Sequence, residues 1–208
     1  MQLAGLSPLA ALQADGPRAP LARKTLEAAL SLPREGGYDS AWGSSGVPID
    51  IAHAGEKVLS RSTKGTYCCG FTFAAAMQTL HGASLLDGRS VAQVRSFQKT
   101  WYGATRESAE RQCADAVREL AVGREVTHAE ALAGDFAQLW RVGAKQSGHS
   151  VLFLGWITLG EERVGLHYLS SQGSTRGIGF TAELFADSGL PGGKVDRNRL
   201  YFARLGPA

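Results

Sequence analysis

Apolar positions change their period near Gly134. Before it they recur every three to four residues, the spacing of one helix face; after it they form short runs broken by turn residues, the mark of strands. The first helix is expected in LARKTLEAALSL, where Leu21, Leu26 and Leu30 keep helical spacing until Pro33 stops it. A second runs from Cys68 to Leu80 on Phe71, Ala75 and either Phe73 or Met77, with Thr66 as a possible cap. Two more are expected in SVAQVRSFQKTWYG (90–103) and RESAERQCADAVRELA (106–121), the latter on a stripe of Ala109, Cys113, Val117 and Leu120. Strands are expected in DFAQLWRVG (135–143), HSVLFLGWITL (149–159), VGLHYLSSQ (164–172) and RLYFARL (199–205). Helices first and strands second predict an α+β fold rather than alternating βαβ units. Residues 1–34 read as a leader or helical extension, and residues 35–208 as the main domain, opening on the Gly/Ser-rich loop EGGYDSAWGSSGVP.

With 208 residues, 44% apolar and 20% charged, the chain can bury a core without staples. The run VLFLGWI (151–157) falls far short of the ~20 apolar residues of a membrane-crossing helix. No basic residue precedes the apolar stretch at the N-terminus, so a signal peptide is not expected; the location reads as cytoplasmic or reached by a non-classical export route. A net charge of +3 arises from scattered Lys and Arg, giving nucleic-acid binding little footing. Cys68, Cys69 and Cys113 make a poor disulfide framework, and metal-binding Cys/His spacings are missing, so free thiols and no metal or organic cofactor are expected.

A cysteine is a good nucleophile only as thiolate, and the start of a helix favours the thiolate through its unsatisfied N–H groups and dipole. Cys68 and Cys69 both have that placement, while Cys113 on an apolar stripe reads as core. The partner base is expected at His149, which opens a strand; His53, His81 and His128 sit in less suitable contexts. If 149–158 and 164–172 form a hairpin turning at Gly160 and Glu161, facing residues have numbers summing to about 321. That register places Gln172 opposite His149 as the group that orients the imidazole, with Ser171 or Gly173 after a one-residue slip. His167 would face residue 154 from the other side of the strand and is the weaker candidate. Asp135 reads as a turn or cap residue, and Trp42 as an aromatic lining a cleft.

Tyr67-Cys68-Cys69-Gly70-Phe71, Gly134-Asp135-Phe136 and His149-Ser150-Val151-Leu152-Phe153-Leu154-Gly155 stand in that order over about half the chain. In these motifs the chain resembles the NlpC-type cell-wall peptidases of the papain-like superfamily. The resemblance places Cys68 on the nucleophile, with Cys69 as the alternative, and matches the Gly-Asp pair that opens the strand before the family's histidine. Tyr67 replaces the family's aspartate, and its Tyr-x-Trp-Gly segment survives only as Trp42-Gly43, with Tyr38 nearby. It implies a papain-like fold with N-terminal helices on a C-terminal antiparallel sheet, and substrate contacts at Tyr38, Trp42 and Tyr67. The implied activity is cleavage of an amide bond in peptidoglycan stem peptides by Cys68, His149 and Gln172. The implied partner is a peptide or peptidoglycan fragment. Acyl transfer by the same thiol, or wall-peptide binding without catalysis, are the other functions this pattern allows.

Overall fold

A computed structural model describes residues 20–143 and 147–207. Its helices are α1 (Pro20–Ser31), α2 (Cys68–Gly82), α3 (Val91–Trp101) and α4 (Cys113–Glu119). A hairpin of β1 (Ile51–His53) and β2 (Glu56–Leu59) stands apart from the main sheet, which holds β3 (Gly123–Val126), β4 (Phe136–Arg141), β5 (Gly148–Leu159), β6 (Glu162–Gln172), β7 (Gly177–Leu184) and β8 (Val195–Leu205). The order β3-β8-β4-β5-β6-β7 is antiparallel throughout, so the molecule is α+β as the pattern predicts.

Alternation along the strands divides the apolar residues between two faces. Leu152, Leu154, Leu169 and Phe136 join a core with Phe71, Phe73, Met77 and Leu80 of α2 and with Trp101 of α3. Val151, Phe153, Leu166 and Tyr168 point the other way and pack with Phe202, Leu200 and Phe185. Helix α2 is apolar on nearly every side, as a helix must be when it runs through a core rather than over it. Each fully buried Phe or Leu there contributes about 1.5–3 kcal/mol of transfer free energy.

Helix α1 is part of this core, with Leu26, Ala29 and Leu32 buried against it. The described part of the expected 1–34 extension therefore packs as an integral element, and its residues 1–19 lie outside the described residues. Gly134 makes the fit possible: its φ is +95°, and any Cβ there would overlap the carbonyl of Ala22 in α1.

The helix expected over 106–121 shrinks to Cys113–Glu119. Upstream, Thr105 and Ser108 bond one another, and the Glu110 carbonyl accepts the Trp140 indole N–H at 2.8 Å. These local and cross-element bonds replace the helical ladder. Strands β1, β2, β3 and β7 lie outside the four expected runs; they are short, edge-placed or rich in charged and glycine residues. Thr66 does not cap α2: the N-cap is Tyr67, which makes no side-chain cap bond.

Candidate active site

The site forms where α2 meets the ends of β5 and β6. The hairpin register holds as expected at Leu152↔Leu169 and Phe153↔Tyr168. Toward His149 the ladder stops. There the Ser170 hydroxyl still donates to the Ser150 carbonyl at 2.6 Å, and the Ser171 hydroxyl lies 2.6 Å from Thr66 Oγ1, so the segment leading into α2 is held against the end of β6 while the Ser150 N–H helps to stabilise the Cys68 thiolate.

Glycine lets the chain come this close. A Cβ at Gly70 would overlap the carbonyl of Gly46, whose loop lies directly on the first turn of α2. Gly70→Ala is expected to cost about 1–3 kcal/mol or more through overpacking against backbone, read as a lower urea midpoint at unchanged m-value.

His149 stands near enough to Cys68 to favour its thiolate, and both residues are only 5% exposed. The Cys68 thiol is held well below its ordinary value. The largest cause is a hydrogen bond from the Cys69 thiol, with further help from the His149 charge and hydrogen bond and from the Ser150 N–H, all against the opposing effect of burial. Cys69 moves the opposite way, pushed well above its ordinary value by burial first and by its donation to Cys68 second. Of the two adjacent thiols, Cys68 is the one whose surroundings favour the thiolate. Burial also pushes Cys113 up to about 12, consistent with core.

Gln172 does not hold the imidazole. Its side chain bonds Ser174 Oγ at 2.8 Å, Thr181 Oγ1 at 2.7 Å and Tyr168 Oη at 3.1 Å, and His149 Nε2 is buried with no hydrogen-bond partner. The strands have already parted where the two residues would have faced each other. The ring of His149 instead meets Tyr168 edge-on, with centroids 5.8 Å apart. Tyr168 donates to Glu183, and Arg141 clamps the same carboxylate at 2.6 and 2.9 Å. Burial works to raise Glu183, yet Arg141 and Tyr168 outweigh it and hold the carboxyl below its usual value. A packed ring with a buried ion pair behind it therefore stands where a polar partner for the imidazole was expected. The only sequence signal for this trio is a charged residue breaking the apolar alternation of β4 and of β7.

His167 is not the base. A bulge pairs it with Gly155 rather than residue 154, and strand alternation turns it away from the face of Tyr168 and His149. Asp135 proves structural: it accepts the Leu132 N–H at 2.8 Å and both Arg204 nitrogens at 2.7 Å.

The three expected substrate contacts separate. Tyr38 pairs with Thr66 and is pushed up to about 12 by burial first and by the nearby Cys68 and Cys69 sulfurs next. It lies near both thiols. Tyr67 is buried and spends its hydroxyl on the Ser44 backbone, accepting its N–H at 2.8 Å and donating to its carbonyl, so it braces the loop. Trp42 is 53% exposed and stacks on Tyr67 at 4.3 Å. Asp39 folds this loop by accepting the N–H groups of Ala41 and Gly43 and the Ser44 hydroxyl. Among the described residues no group of three or more His, Cys, Asp or Glu could hold a metal ion, and no helix is long and apolar enough to cross a membrane. No family model, curated protein or solved structure matches the chain.

Proposed function

We propose that the chain is a papain-like cysteine hydrolase of amide bonds, with the peptide stems of bacterial peptidoglycan as its substrate class. The reading is supported by the surroundings of Cys68 at the uncapped start of α2, where the neighbouring His149 and the Ser150 N–H favour its thiolate. The substrate class rests on the motif resemblance, and the exposed Trp42 beside the site offers a flat surface for a sugar or peptide.

In this mechanism the Cys68 thiolate attacks the scissile carbonyl. Backbone N–H groups of the first turn of α2 receive the oxyanion. Protonated His149 gives its proton to the leaving amine as the C–N bond breaks, which leaves a thioester on Cys68. Neutral His149 then takes a proton from water, whose oxygen attacks the thioester; the acid product departs, and Cys68 and His149 recover their charged pair. Purified protein incubated with peptidoglycan fragments should release products that mass spectrometry identifies as hydrolysed stem peptides, and Cys68→Ala should release none. Products equal to those of the Cys68→Ala control would defeat the substrate assignment.

A further inference from the structure

A cavity of about 470 Å³ opens between the β5–β6 hairpin, β7 and the segment 190–194. That size falls within the ~300–1,000 Å³ of small-molecule sites. Neither Cys68 nor His149 lines it. We infer that this cavity is a separate binding site for one aliphatic chain ending in an anionic group.

The wall is apolar where a chain would lie, built by Ile157, Leu159, Val164, Leu184 and Leu190. Leu159 is half exposed there, an apolar side chain with nothing over it. The polar end decides the sign of the ligand. The Glu183 carboxylate is buried and already receives Arg141 at 2.6 and 2.9 Å together with the Tyr168 hydroxyl. Lys194, half exposed at the rim, stands 3.7 Å from that same carboxylate. Arg141 and Tyr168 already hold the Glu183 carboxylate on the wall, so an entering carboxylate pairs with Lys194 at the rim, whereas an ammonium meets the like charge of Lys194. On the same wall the Gln172 amide donates to the Ser174 and Thr181 hydroxyl oxygens at 2.8 and 2.7 Å, which leaves both hydroxyl protons able to donate to an anionic end group. The volume suits a single chain as a free molecule rather than a two-chain lipid held in a bilayer.

Calorimetric titration of the full chain with monomeric decanoate and decylamine tests the inference. Decanoate should bind saturably at one site, and decylamine at least about tenfold more weakly. Lys194→Glu should weaken decanoate by at least about tenfold and favour decylamine, and Leu190→Trp, which fills the cavity, should abolish binding of either. Both positions lie at the rim, so an unchanged urea midpoint will confirm that the variants fold; a changed midpoint transfers the test to Lys194→Met and Leu190→Phe. Cys68→Ala should bind decanoate like the parent, which keeps this result independent of the hydrolase reading. The inference fails if decanoate does not bind saturably, if both ligands bind equally, if neither rim change alters binding, if Cys68→Ala abolishes it, or if only anionic vesicles and not free decanoate bind.

Discussion

Replacing His149 with alanine will slow alkylation of Cys68 by iodoacetamide at pH 6 by at least about a hundredfold. Alkylation follows the thiolate. In the parent protein His149 contributes both a charge and a hydrogen bond to that thiolate. Without the imidazole, the burial that opposes ionisation stays in place while two of the groups that offset it are gone. The thiol then titrates higher, and at pH 6 little of it remains ionised. Cys69 still donates, so the loss will be incomplete. His149→Gln, which restores a hydrogen-bond donor without the charge, should fall between the two. Equal rates in the parent and His149→Ala, measured by site-resolved mass spectrometry, would mean that the imidazole does not activate this sulfur.

Asp135→Ala will destabilise the fold by about 3 kcal/mol, because it removes the carboxylate that neutralises a largely buried guanidinium, while the Glu130 carbonyl still accepts from Arg204 at 2.6 Å. Asp135 is fully buried, and Arg204 meets its carboxylate at 2.7 Å through two nitrogens. Burial raises the Asp135 carboxyl, against the pull of Arg204 and the Leu132 N–H. The same residue fixes the start of β4 against β5, since the Phe153 N–H bonds the Asp135 carbonyl at 2.8 Å. His149 sits on β5, so this bond helps to place the strand that carries it. If the cost lies in the lost neutralisation, Asp135→Leu combined with Arg204→Met should recover most of the lost stability. A double variant as unstable as Asp135→Ala would place the cost in the turn and the Leu132 contact instead. Urea denaturation measures both.

Much of this arrangement was legible in the residues. Local patterns gave the start of α2 at Cys68, the strand that begins near His149 and the facing of Leu152 with Leu169, because each follows from a period of two or 3.6. Gln172 was misplaced by the same arithmetic. A register can be extrapolated only while two strands stay paired, and here the ladder stops short of His149. The Tyr168, Glu183 and Arg141 support was hidden for a similar reason: three strands contribute one residue each, and no spacing along the chain relates them. Gly70 and Gly134 stood out as motif letters, yet their reasons, contact with the Gly46 carbonyl and with the Ala22 carbonyl, exist only in the folded chain.

The most direct test of the paired sulfur and imidazole is the pH profile of alkylation in the unmodified protein, with each cysteine followed separately. The account predicts that Cys68 alone reacts rapidly, with a midpoint well under the ~8.5 of a free thiol, while Cys69 and Cys113 stay unreactive through neutral pH. A Cys68 profile matching that of a free thiol, or faster labelling at Cys69, would contradict it.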